Sequence, residues 1–350
     1  MGPMGTTGSG QRAYIGSFTS AGGRGIITAA VDAETGALTP LHATDEVRDP
    51  SYLAPAPDGR HLYAVSETSD GAAAAFALTE KGPALLGAPI PVGGAAPTHL
   101  ALWSGHLLTA NYTSGSVSAL SVRADGTLTE PAVVLQHTGS GPHPDRQEGP
   151  HAHAVLPDPT GRWLLSVDLG TDSVRICEPD PASGVPAIRH EVRLRPGSGP
   201  RHLAFHPRGD HAYVINELSS TATPCHWDAT TGTLTPLAET AVLPPDAGGN
   251  HPSELVVSPD GRFAWVANRG HDSISVLAVA PSGESFSLVT TVPCGGHWPR
   301  DLALHPGGRH LYAANERSGD VTWFSVDPAT GVPEAGGSIE APAASCVVFV

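Results

Sequence analysis

Lysine is nearly missing from this chain. Lys81 is its one lysine, so the 19 basic residues are almost all arginine. Arginine is the better partner for carboxylate and phosphate, because its planar fork can hold them bidentately. Positive charge as a whole is scarce. The 34 acidic residues leave a formal net charge of -15 at pH 7. A surface this acidic repels nucleic acid and anionic membrane, so neither is expected as a partner. An anionic small substrate would need a local arginine cluster to overcome that field.

Long apolar runs are missing as well. No stretch of about 18 apolar residues occurs, so no membrane-spanning helix is expected. The start, Met1 to Arg12, is polar and Gly-rich and carries no apolar signal-peptide core. It reads as a flexible tail, and cytosol is the expected location. Cys177, Cys225, Cys294 and Cys346 lie far apart and form no CxxC pair, so free thiols are expected. No glycine-rich turn has phosphate-loop spacing, GxGxxG and GxSxG included. No cofactor is expected.

Glycine (41) and proline (34) are plentiful, which points to many turns and many short strands. They fall in a repeat of about 50 residues. Copies begin at Pro50, Pro97, Pro150, Pro200, Pro252 and Pro299. Each has an alternating apolar strand, in most copies a Pro-x-Gly turn, then a second strand such as Leu311 to Asn315. A third strand and a turn such as Ala329-Thr330-Gly331 follow, then a fourth strand. Four strands per copy make a propeller blade. Pro342 to Val350 resembles a lone first strand, and Ala13 to Asp32 resembles a copy that lacks one. Joined, they complete a seventh blade. The expectation is an all-β seven-bladed propeller over 13–350, closed by the C-terminal strand against the N-terminal ones. Two stacked β-sandwiches would not explain the complementary half-copies.

Repeats let the chain serve as its own comparison. After each anchor proline stand Ser51, Thr98, His151, Arg201, Ser253, Arg300 and, near the end, Ala343. Two positions later stand Leu53, Leu100, His153, Leu203, Leu255, Leu302 and Ser345. On this alignment His153 replaces a buried leucine, at a cost on the order of 1–3 kcal/mol unless partnered. Strand alternation places His151 and His153 on one face. The second strands end in Ser17, Ser66, Asn111, Asp168, Asn216, Asn268 and Asn315, which suggests turn hydrogen bonds. The next position mixes Phe18, Glu67, Tyr112, Leu169, Glu217, Arg269 and Glu316. First strands line a propeller's channel, so one pocket at its mouth should gather His151, His153, Arg201, Glu217, Arg269 and Arg300. Glu67 and Glu316 read as solvated or paired with arginine. His206 and His305 precede a turn proline and read as structural. His143, His151 and His153 could together ligate a metal, but no carboxylate sits at a familiar ligand spacing, so no metal is expected.

At these residues the chain resembles the lactonase family of seven-bladed propellers, which includes bacterial 6-phosphogluconolactonases and a carboxymuconate cyclase. Gly139 to Glu148 with His151-Ala152-His153, Gly199 to Pro207, Val214 to Leu218 and Asn268 to Ile274 carry the resemblance. It covers about Tyr14 to Val350. It implies His153 or His151, Arg201 and Glu217 as catalytic, and a further arginine at Arg269. The implied reaction is hydrolysis of a sugar lactone, 6-phosphogluconolactone first, in the pentose phosphate pathway. A base, Glu217 or His153, would take a proton from water, and Arg201 would hold the oxyanion. Arg269 and Arg300 would grip phosphate or carboxylate, with His151 beside them. The implied partner is a small anionic substrate, with the protein a monomer or weak homo-oligomer. The alternatives are a lactone-forming cyclase and a non-catalytic binding propeller.

Overall fold

The computed structural model describes residues 11–130 and 132–350. Seven antiparallel sheets stand around one axis. Blade I joins Ala344–Phe349 to Arg12–Ser17, Ile26–Val31 and Leu38–Thr44. Blade II runs from Leu53–Pro55 to Gly82–Leu85, and blade III from Pro97–Trp103 to Val133–Gln136. Blade IV holds Ala152–Pro157, Leu164–Asp168, Ser173–Pro179 and Pro186–Arg193. Blade V runs from Pro200–Phe205 to Thr233–Pro236, blade VI from His251–Val257 to Phe286–Pro293, and blade VII from Pro299–Leu304 to Pro333–Glu340.

The ring closes as the half-copies require. Tyr14 pairs with Val348 and Ile15 with Val347, antiparallel. Arg12 already exchanges backbone hydrogen bonds with Val350, so the first strand takes in a residue that the sequence reading left in the tail. Gln11 accepts a backbone hydrogen bond from Val31, and residues 1–10 of the expected tail lie outside the described residues.

Apolar strand faces meet between blades, not within them. Blades IV and V, for example, close over Trp163, Val167, Val214 and Trp227. The few aromatics also tie neighbours together. Tyr63 donates to Gly126 O (3.0 Å), Tyr213 to Gly283 O (3.1 Å), Trp265 to Gly331 O (2.7 Å) and Tyr312 to Gly36 O (2.7 Å). Each bond runs from the second strand of one blade to the outer turn of the next. Gly36 needs its missing side chain, because its φ is +71° and a Cβ would lie 2.6 Å from the His310 ring.

The polar ends of the second strands behave as the repeat suggested. Asn111 donates to Ser116 (3.1 Å) and Ser118 (2.8 Å), Asn216 to Thr221 (3.0 Å) and Thr223 (2.8 Å), and Asn268 to Ser275 (2.8 Å). His206 is buried against Gly261 O (3.2 Å), a structural role. All four cysteines are buried and unpaired. Among the described residues no helix is long and apolar enough to cross a membrane.

Candidate active site

Six of the seven innermost strands carry a β-bulge; the innermost strand of blade II pairs in register. Strand pairing identifies the bulged residues. Pro200 opposes Asn216 and His202 opposes Ile215, which leaves Arg201 as the extra residue. By the same pairing Thr98 is extra in blade III and Arg300 in blade VII. A bulge re-aims a side chain, so these positions suit a site.

Blade IV corrects the sequence alignment. Ala152, not Pro150, opposes Asp168, and Ala154 opposes Val167, so the bulged residue is His153. His153 therefore aligns with Arg201 and Arg300 and replaces no leucine. Val155 fills the leucine position, against Ser166. Blade I shifts in the same way. Ala344 opposes Ser17 and Cys346 opposes Gly16, so the bulged residue is Ser345, not Ala343. Small bulge residues link the ring: Thr98 donates to His153 O (3.2 Å), Ser253 to Pro299 O (2.6 Å) and Ser345 to Ser51 O (2.7 Å). Arg201 also donates to Ser253 O.

Glu217 is the hub. Arg269 meets its Oε2 at 2.7 Å and Arg146 its Oε1 at 2.6 Å, while Arg201 Nε lies 3.4 Å from Oε2. Burial alone would raise this carboxyl. Arg269, Arg201 and Arg146 outweigh burial and hold it down at about 2. Glu217 is thus an anion that organises guanidinium groups. Arg300 joins the same channel, 3.2 Å from Glu316 and 3.5 Å from Glu67, with its guanidinium 4.8 Å from the Phe18 ring. Both carboxylates are paired with arginine, as expected.

The two histidines have different surroundings. His151 stacks on Tyr112 at 4.6 Å, with Nδ1 on Tyr112 O (3.0 Å) and Nε2 on Glu148 (3.1 Å). Both ring nitrogens have partners, which ties His151 to Tyr112 and Glu148. His153 meets the edge of the Tyr112 ring at 5.6 Å, and its buried Nδ1 has no hydrogen-bond partner. Burial first, and then Arg201 nearby, push His153 well below the usual imidazole value, so it is neutral at pH 7. Among the described residues no group of three His, Cys, Asp or Glu is placed to hold a metal ion.

Arg146 and Tyr112 complete the site, and sequence reasoning named neither as functional. Arg146 belongs to a loop with no counterpart in other blades. That loop is bolted down at Asp168, where the other blades carry Asn or Ser. Asp168 is fully buried and takes His137 (2.6 Å), Arg175 (3.0 Å) and the backbone N–H groups of His151 (2.9 Å) and Thr171 (3.1 Å). Gln147, also buried, donates to Leu169 O (2.8 Å) and Asp172 (2.7 Å). The loop is a fixed arm that delivers Arg146 to Glu217.

Below the bulged residues lies a second polar layer, also missed: Tyr52, His99, His202, Glu254 and Asp301. His99 and His202 pack edge to face at 5.1 Å, and His202 touches Glu254 and, at 5.4 Å, His153. Burial raises Glu254 to about 7, against Arg201, and burial together with Glu254's charge raises Asp301 to about 7. The enclosed space between the layers is about 10 Å³, enough for one water. A larger cleft of about 480 Å³, lined by Arg12, Leu78 and Glu80, lies at the outer rim and gathers no such set.

A buried arginine cluster, a neutral histidine and a held carboxylate thus meet on a seven-bladed ring. The family described as "Lactonase, 7-bladed beta-propeller" matches residues 12–349, and the chain belongs to that family. It is 34% identical to the 6-phosphogluconolactonase of Bacillus subtilis (strain 168), covering 76% of this chain and 77% of that one. A Bacteroides fragilis crystal structure superposes with a TM-score of 0.91 at 32% identity, covering 99% of this chain and 100% of that chain. The periplasmic gluconolactonase of Pseudomonas aeruginosa superposes with a TM-score of 0.90 at 31% identity, covering 97% of this chain and 99% of that chain.

Proposed function

We propose that this protein hydrolyses 6-phosphogluconolactone to 6-phosphogluconate. One observation carries the proposal. Two bulge residues from neighbouring blades keep under-used hydrogen-bonding groups in the buried channel: His153 Nδ1 has no partner, and Arg201 Nε makes no hydrogen bond, only a 3.4 Å ion pair with Glu217 Oε2. Leaving both without a hydrogen bond costs stability, and a lactone with its attacking water would satisfy both.

Water attacks the lactone carbonyl while His153 accepts its proton. Arg201 stabilises the tetrahedral oxyanion. Burial and Arg269 lower its pKa to about 9, which leaves it charged at neutral pH. The ring C–O bond then breaks, and the imidazolium returns the proton to the departing ring oxygen. Glu217 aligns the arginines. Arg269 is positioned by His251 O (3.0 Å), Arg300 by its two glutamates, and both serve the substrate's charge. No residue here forms a covalent intermediate. The four buried free thiols support a reducing, cytosolic setting.

Stopped-flow acid release from freshly made 6-phosphogluconolactone tests this, wild type against Arg201→Ala. Catalysis by the wild type and its loss in the variant are expected. Acid release by both at the uncatalysed rate ends the proposal. A phosphate-free unsaturated acid turned over faster than the sugar lactone would select the cyclase chemistry instead.

A further inference from the structure

Arg146 differs from the other arginines on Glu217 in two respects. Its side chain is 32% exposed, whereas Arg201 and Arg269 are 4% and 8% exposed. Those two are also fastened to backbone, at Ser253 O and His251 O. Arg146 instead grips two side chains through one nitrogen: Glu217 Oε1 at 2.6 Å and the Tyr112 hydroxyl at 3.2 Å.

The backbone beneath it is fixed. Gln147 is buried and tied to Leu169 and Asp172, Gln147 N bonds His143 O (3.0 Å), and Glu148 holds His151. Movement is therefore confined to the Arg146 side chain. Meanwhile each Glu217 oxygen already holds a guanidinium, Arg146 on Oε1 and Arg269 on Oε2, and Arg146 covers Oε1 from the solvent side. The space below admits only about one water, so a sugar must arrive from the solvent side, where Arg146 is exposed.

We propose that Arg146 is an anion-sensing specificity residue. An incoming phosphate monoester draws its guanidinium off Glu217, and the released Oε1 accepts a hydrogen bond from a substrate hydroxyl. This rests on the lactone reading above. The exchange is nearly balanced, because one charge-assisted pair replaces another. A neutral lactone offers Arg146 nothing and meets a closed carboxylate. Free phosphate should then open the site for it.

The test measures turnover of 6-phosphogluconolactone and of unphosphorylated gluconolactone by wild type and Arg146→Gln. Each is run with millimolar inorganic phosphate and with chloride at equal ionic strength, less the uncatalysed rate in the same buffer. Phosphate should speed wild-type turnover of the neutral lactone severalfold. Arg146→Gln should turn over the neutral lactone faster than wild type, ignore phosphate, and show a KM for the phosphorylated lactone raised about tenfold or more. An absent phosphate response in wild type, or equal losses on both lactones in the variant, overturns the proposal. Should wild type hydrolyse neither lactone, the lactone reading falls separately and calorimetric titration with inorganic phosphate decides the role of Arg146. Phosphate binding lost in Arg146→Gln supports the role; equal or absent binding in both proteins overturns it.

Discussion

Two layers of carboxylates share one channel and are pushed in opposite directions. Glu217 in the upper layer is held at about 2, while Glu254 and Asp301 in the lower layer are raised to about 7. All three are buried, so depth does not separate them. Arginine placement does. Three guanidinium groups surround Glu217, whereas the lower pair has Arg201 at its upper side and one another's charge beside it. Desolvation is common to both layers, and the local charge count decides the sign. The upper layer is permanently ionic and suited to anions. The lower layer titrates near neutrality and sets the floor on which His153 and Arg201 stand.

The largest effect expected from breaking this contrast is on the upper layer's chemistry. Arg201→Ala should lower kcat on the sugar lactone by about 100- to 1000-fold, the usual loss of one oxyanion donor, as read by single-turnover acid release. Next comes Glu217→Gln. It leaves guanidinium groups facing one another in a buried site and should destabilise the fold by on the order of 3 kcal/mol in urea at pH 7. Because the Glu217 carboxyl is depressed, its contribution is full above the unfolded value near 4.5 and disappears as pH falls toward about 2. The stability difference between wild type and variant should shrink over that window. A difference that stays constant with pH would show that the arginines do not hold the charge.

The lower layer should show the reverse sign. Carboxyls raised in the folded state lose stability as pH climbs from the unfolded range near 4 to about 7, and lose no more above it. Asp301→Asn removes that penalty and should raise stability at pH 8 relative to pH 5 by on the order of 2 kcal/mol. Equal shifts at both pH values would remove the contrast. The smallest effect is at the rim. Phe18→Leu deletes the ring under Arg300 and should cost about 0.5–1 kcal/mol, with a modest rise in KM.

The ring, its blade number and its closure were legible because a repeat exposes its own pattern. The half-copies at Ala13 and Val350 could only be each other's complement. The site was half legible. His153, Arg201, Glu217, Arg269 and Arg300 do converge on one channel, and His151 joins them through its stack on Tyr112. The alignment failed in blade IV because Pro150 mimics the anchor prolines. Counting back from the Pro-x-Gly turn would have corrected it, since Pro159 stands as far from Ala152 as Pro207 does from Pro200. That count would also have placed His153 with the arginines. Arg146 was hidden for a different reason. It lies in a unique loop, where internal comparison has nothing to compare. The lower layer was hidden because a bulge turns two successive residues of one strand inward, which breaks the alternation that sequence patterns rely on.

His153→Asn tests the central claim most directly. It keeps the backbone carbonyl that Thr98 uses and replaces the basic imidazole with an amide that cannot take up a proton at neutral pH. Acid release from fresh 6-phosphogluconolactone should fall by at least about 100-fold in kcat, with thermal stability close to wild type. A variant that keeps kcat within about twofold of wild type would contradict the account, because a general base contributes far more than that.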